Sequence, residues 1–300
     1  MANTITAFNP TIWSRKGVAI LRAKIVMPGL VRMDFSEDVA QFGDTVNTRK
    51  PATLVANDVS TSTGVTVQDV SATNIAVTLN KHKDATFRVS DREAGRSFVN
   101  LVEQYLDPAM LALATQLDID ILSLYTDVAT GNTVSYTSAG AWKTLVNSAR
   151  TRLNKLKVPV ENRRLVLSDD DEGQMTNLDL FVQANTRGSN DVQLRGIVGQ
   201  FKGFDVYRAS SVVGVGSPVV RKNLAFHRDA FALIVRVPAT AAGVTPGALQ
   251  SVGIDPDAGL SIRTTISYNA TLLSTQVTCD ILYGVLTLDS NLFCVINGQG

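Results

Sequence analysis

From Gly43 to Thr86 the chain contains no Phe, Tyr or Trp, while Thr, Ser, Val and Asn recur throughout. Val65 and Val67, then Ile75, Val77 and Leu79, then Ala85, Phe87 and Val89 alternate with polar residues, the period-two pattern of half-exposed strands. Asn80-Lys81-His82-Lys83-Asp84 reads as a polar turn between two of them. Such a ribbon cannot form a core of its own, because burying a few valines does not offset the entropy of ordering the chain. It must lie on something larger, either the body of its own chain or the next copy in an assembly.

Asp107 to Val128 supplies the rigid element such a ribbon needs. Asp107 is placed to act as N-cap, Pro108 takes the first helical position, and Gly131 can close the far end. Met110, Ala114, Leu117, Ile121, Leu124 and Val128 recur at steps of four and three and line one face, and Leu111, Leu113 and Leu122 broaden it. At about 1.5 Å per residue this helix would run roughly 30 Å. Upstream, Ser90-Asp91-Arg92-Glu93 is a capping-box pattern opening a short helix with Phe98, Leu101, Val102 and Tyr105 on one face.

Residues 1–40 mix apolar clusters (Ile12, Trp13, Ile20, Leu21, Ile25, Val26) with Arg15, Lys16, Arg22 and Lys24, and Gly17 is expected to interrupt any helix there. The segment reads as an arm with a sticky side that either folds back on its own domain or docks on a neighbouring subunit. Met27-Pro28-Gly29 ends it in a turn. Trp142, Leu145, Ala149, Leu153 and Leu156 mark another amphipathic helix, Arg164 to Leu167 a strand, and Phe204 to Arg208 and Leu224 to His227 further strands. This middle region is thus a mixed α/β unit. Val237 to Gly259, rich in Ala, Gly, Pro and Val, reads as a loop. In the last segment Ile262, Ile266 and Tyr268 face one way, and Val277, Cys279, Ile281 and Tyr283 repeat the pattern with Thr278 and Asp280 opposite.

With 28 basic and 27 acidic residues, no net field draws the chain to nucleic acid or an anionic membrane, so any such contact is local or weak. Cys279 and Cys294 fall in apolar strands and read as buried thiols in a reducing compartment. The first residues lack the pattern of a signal peptide, and the apolar run Ala230 to Val235 is far shorter than the roughly 18 residues a membrane helix needs. The chain is therefore expected to be made in the cytosol, with no membrane partner. Two histidines, His82 and His227, and two cysteines give no zinc pattern, and HExxH, GxxxxGK and GxSxG are absent. Gly196, Gly199 and Gly203 read as turn residues, and Asp169-Asp170-Asp171-Glu172 as the charged first turn of a helix rather than a metal site. No cofactor, metal or catalytic constellation is expected.

The order of elements, an arm, a β excursion, a spine helix, a mixed α/β unit and a closing hairpin, resembles the major capsid proteins of tailed bacteriophages. ANTITAFNPTIWSRKGVAILRAKIV and FGDTVNTRKPATL look like the amino end of the short-tailed-phage coat proteins. LNKHKDATFRVSDREAG, ALATQLDIDILSLY, LNKLKVPVENRRLVLS, FKGFDVYRAS, NLAFHRDAFALIVR and SIRTTISYNATLLSTQVTCDILYGVLTL continue the resemblance almost to the end.

The resemblance implies an α+β chain with the Hong Kong phage capsid fold. Its parts would be an N-terminal arm (1–40), an extended β loop (41–90), a peripheral domain with the spine helix (91–135 and 258–288) and an axial α/β domain (136–257 and 289–300). It also implies a self-assembling, non-enzymatic subunit of an icosahedral shell, built in the host cytoplasm and enclosing double-stranded DNA. An encapsulin-like compartment shell is the alternative with the same fold. The implied partners are further copies as pentamers and hexamers, a separate scaffolding protein, a portal protein, and packaged DNA by weak non-specific contact. Trp13, Arg15, Arg22, Arg49, Lys50, Lys81 and Lys83 are candidate intersubunit contacts on arm and loop. Deleting residues 1–25 is expected to leave a folded subunit that no longer closes shells.

Overall fold

A computed structural model describes residues 10–33, 44–50, 54–59, 64–65, 67–68, 73–91, 105–136, 142–178, 199–236, 248–255 and 259–298. The arm is a helix, α1 (Pro10–Lys24), that runs unbroken through Gly17. The expected interruption is absent because of packing: a Cβ at residue 17 would stand 2.7 Å from Ile262 Cδ1 and 3.3 Å from Met110 Sδ. Glycine costs a helix interior roughly 1 kcal/mol. The close approach it permits buries Trp13, Val18 and Leu21, each worth about 1.5–3 kcal/mol, so burial overrides local propensity. A 3-10 turn at Pro28–Leu30 follows, at the expected turn.

Strands β1 (Thr45–Lys50) and β2 (Thr73–Thr78) pair antiparallel as the two limbs of the ribbon, and β3 (Lys81–Ser90) continues from them. The short helix expected after Ser90-Asp91-Arg92-Glu93 lies outside the described residues. The spine is α2 (Asp107–Leu122), extended by a 3-10 turn at Ser123–Asp127. Leu106 already has helical backbone angles, so Asp107 lies in the first turn rather than at the N-cap. Met110, Ala114, Leu117 and Ile121 are buried as their spacing predicts, with Leu113 and Leu122 beside them, whereas Leu111 is exposed.

Next come β4 (Thr133–Ser135), α3 (Trp142–Lys155), β5 (Arg163–Leu167) and α4 (Asp169–Thr176). The acidic run is the first turn of α4, where Ser168 Oγ accepts from the Asp171 amide as N-cap. The buried Arg163 guanidinium donates to Val158 O, Pro159 O and Asn154 Oδ1, holding the residues that follow α3. Lys202 and Gly203, both at positive φ, make the tight turn between β6 (Gln200–Phe201) and β7 (Phe204–Arg208). The remaining strands are β8 (Gly214–Val215), β9 (Val220–His227), β10 (Phe231–Arg236), β11 (Ala248–Asp255), β12 (Leu260–Asn269), β13 (Ser274–Thr287) and β14 (Phe293–Asn297).

Two sheets organise these strands. One runs β4-β14-β9-β5-β7-β6, with β8 attached to β9. Its central strands are apolar on both faces: Val166, Leu224, Phe226, Phe293 and Val295 enter the main core with α1 and α2, while Leu165, Leu167, Ala225, Cys294 and Ile296 pack with α3. In the other sheet β13 pairs with β3 along Ser274–Tyr283, and β12 and then β10 share its opposite edge. β11 pairs with β12 over its whole length. The expected loop from Val237 to Gly259 therefore contains a strand. Its period was hidden because Gly253 replaces a side chain where a Cβ would stand 2.5 Å from Ser14 O of α1. β10 and β11 fall within 136–257 in sequence but join β12 and β13 in space. Cys279 and Cys294 are free, buried and in different sheets, and burial pushes their thiols up to about 11 and about 12.

Candidate intersubunit surfaces

The described part of the arm packs on the main core while the ribbon extends from it, and each is fixed by carboxylates of that core. Two acidic residues inside the apolar run of α2 do this. Asp118 accepts from the amides of Met27 (2.9 Å) and Val26 (3.2 Å), clasping the exit of α1 to the spine. Burial raises its carboxyl from 3.8 to about 6, against the lowering effect of the Met27 and Val26 amides. The folded state then holds a proton that the unfolded chain has released between about pH 4 and 6. Stability relative to Asp118→Asn is expected to fall by roughly 3 kcal/mol as pH rises through that window and to level off above it. Urea titrations of both proteins from pH 4 to 8 check this; a flat difference refutes it.

Asp120 accepts from Tyr283 Oη at 2.6 Å and from Gln116 Nε2 at 3.1 Å, and pairs with Lys81 Nζ at 3.3 Å. Burial, then the hydrogen bond to Asp120, raises the Tyr283 phenol well above its ordinary value. Lys81 is the first residue of β3, so the spine reaches the base of the ribbon directly. On the outer side of the sheet, Asp280 is 2% exposed. It accepts from Arg263 at 3.1 and 2.7 Å and lies 2.6 Å from His82 Nε2, tying β12, β13 and β3 together. The polar turn expected at Asn80–Asp84 is thus corrected: Lys81, His82 and Lys83 open a strand paired with β13, and Lys81 and His82 have carboxylates beside them within the subunit.

The ribbon's base has its own small core, in which Val46, Val77 and Leu79 pack on Ala232, Ile234 and Leu282. Further out Leu54, Val55, Val59, Val65 and Val67 are exposed among the described residues, Val67 to 88%. The two limbs are joined there by the Gln68 side-chain amide, which accepts from Val55 N at 3.0 Å and donates to Val55 O.

The seven candidate contact residues lie on three elements and are not gathered at one place. Trp13 is 2% exposed and packs against Phe87 with ring centroids 5.9 Å apart, so its surface is used within the subunit. Arg15 is exposed on α1, and Arg22 on the same helix pairs with Asp255 at 2.9 Å. Arg49 and Lys50 end β1. Lys81 and Lys83 belong to β3, Lys83 opposite Ile281. Reasoning from sequence missed Asp118, Asp120 and Asp280. The signal available for the first two was a pair of acidic residues within an otherwise apolar helical stretch.

No family model matches this chain, and no curated relative matches it. Solved structures do. A structure from Mycobacterium phage Che8 superposes with a TM-score of 0.68 at 20% identity over 92% of each chain. The capsid of Ralstonia phage GP4 gives a TM-score of 0.61 at 12% identity, over 100% of this chain and 93% of that one. The capsid structure of cyanophage P-SCSP1u gives 0.58 at 13% identity, over 90% and 85%. The likeness covers 90–100% of this chain, and the chain has the α+β fold of these phage structures, two of which are capsids.

Proposed function

We propose that this chain is the major capsid protein of a tailed bacteriophage, a non-enzymatic subunit that assembles as pentamers and hexamers into an icosahedral shell around double-stranded DNA. The observation that carries the proposal is the ribbon: its base is cemented to the subunit while its outer apolar residues are exposed among the described residues, within a fold shared with phage capsids. On this reading residues 41–90 are the extended loop and 1–40 the arm. The spine and the β13 sheet form the peripheral domain (91–135 and 258–288, joined by β10 and β11), and the rest forms the axial domain. A separate scaffolding protein directs assembly and a portal protein occupies one vertex. The shell is built in the host cytoplasm and becomes the capsid of the virion.

The test is expression with its phage's neighbouring genes, followed by electron microscopy and nuclease-protected DNA analysis. Closed shells containing DNA are expected; shells that hold protein cargo and no DNA would make it a compartment shell instead. Replacing residues 54–68 by a short Gly-Ser linker should abolish closure. The thermal transition should shift by only a few degrees, because Leu54, Val55, Val59, Val65 and Val67 are exposed in the subunit. Normal shells from that variant would refute the role given to the loop.

A further inference from the structure

α1 holds four of the 28 basic residues, Arg15, Lys16, Arg22 and Lys24, and none of the 27 acidic ones, so the helix is +4 and the remainder of the chain is −3. The sequence-wide balance of +1 conceals this asymmetry. Trp13, Gly17, Val18 and Leu21 fasten one face of α1 to the main core, which presents Arg15, Lys16, Arg22 and Lys24 outward on a rigid support. Arg22 is braced by Asp255 at 2.9 Å. Among the described residues, Arg15, Lys16 and Lys24 have no carboxylate partner.

We infer that the outward face of α1 is a binding surface for the phosphate backbone of double-stranded DNA. Arg15 and Arg22 are seven residues apart on one line of the helix, about 10 Å along its axis, which matches the rise of about three nucleotides. Ala19 stands between them and Ala23 just beyond, both small and exposed, so a flat polyanion can lie across the charges. A protein partner would need an apolar or aromatic anchor at the centre of its contact. The exposed middle of α1 offers none, and Ile12 stands at one end. Cations alone suffice for a phosphate backbone; α3 carries an equal charge, with Lys143, Arg150, Arg152 and Lys155 and no acidic residue, and two of its lysines therefore serve in the control below. The identity of the polyanion rests on the capsid reading; the cationic face does not.

Unassembled full-length subunits would be titrated against a fluorescein-labelled 30-base-pair duplex by anisotropy at 50–200 mM NaCl. The comparison is wild type, the triple variant Arg15→Ala/Lys16→Ala/Lys24→Ala, and a charge-matched control, Arg88→Ala/Lys143→Ala/Lys155→Ala, whose sites are exposed on other elements. Circular dichroism melts establish that all three are folded. Removing three phosphate contacts should lower the slope of log affinity against log salt by about 2.7. Wild type should then lose about 40-fold more affinity than the α1 variant across that range. The control should behave as wild type. Equal losses in both variants would reduce the effect to net charge and overturn the inference. So would tighter binding of a polyglutamate peptide than of the duplex, which would point to an acidic protein. If electron microscopy finds shells from every variant while DNA binding is unchanged, the inference fails and the capsid reading stands; if wild type gives no shells, that reading fails independently.

Discussion

A chain beginning at residue 26 is expected to lose cooperative folding altogether. Deleting residues 1–25 removes Trp13, Val18 and Leu21 from the main core and uncovers Met110 and Ile262, which pack against α1 at Gly17. At about 1.5–3 kcal/mol for each of these three side chains, the loss is roughly 5–9 kcal/mol. A whole domain has only about 5–15 kcal/mol to lose. Because α1 is part of the core, the deletion is expected to unfold the subunit and not to leave it folded but assembly-defective, as the sequence alone suggests. Trp13→Ala provides a graded form of the same experiment. A loss of about 3–5 kcal/mol should appear as a lower urea midpoint with an unchanged slope. A sharp, wild-type-like melt from the truncated chain would show that α1 contributes nothing to the core.

The second large effect is expected at Gly284, toward the C-terminal end of β13. A Cβ there would stand 2.3 Å from Thr78 O and 3.0 Å from Thr78 C, and both obstacles are backbone. β2 crosses the sheet at this point, so Gly284→Val must push the base of the ribbon away from Ala232, Ile234 and Leu282. Overpacking of this kind costs about 1–3 kcal/mol, which leaves a folded subunit. Hydrogen exchange should accelerate selectively at β1 and β2, and closed shells should disappear from micrographs. Gly29→Ala is the control, since nothing lies within 4 Å of its added methyl. Normal shells from Gly284→Val, with protected β2 amides, would remove this seat from the account.

The sequence made α2, α3 and the β12–β13 hairpin legible through their apolar periods, and α4 through its acidic first turn. Met110 through Ile121, Trp142 through Leu153 and Val277 through Tyr283 all bury as their spacing implies. The failures have one physical cause, contacts between residues far apart in the chain. Gly17 looks like a helix breaker until Ile262 and Met110 are seen against it, and Gly253 looks like a loop residue until α1 crosses it. Lys81 and His82 look like a solvated turn until Asp120 and Asp280 arrive from elements 39 and 198 residues away. Arm and ribbon could be picked out as needing support, but not how much of it comes from the subunit itself. The ribbon's outer apolar residues were legible by composition. The carboxylates that fasten its root were not, because an Asp in an apolar helix reads the same whether it faces water or a tyrosine.

β10 carries Phe231, Leu233 and Val235 into the main core and Ala232 and Ile234 into the small core under the ribbon. A single strand thus serves as a common wall between the part of the molecule that stays at home and the part that reaches away. Any pull a neighbour exerts on the far end of that lever is delivered to the phenylalanines around Phe226, Phe231 and Phe293. Tension across a lattice of such subunits would be shared through their interiors, not only along their rims.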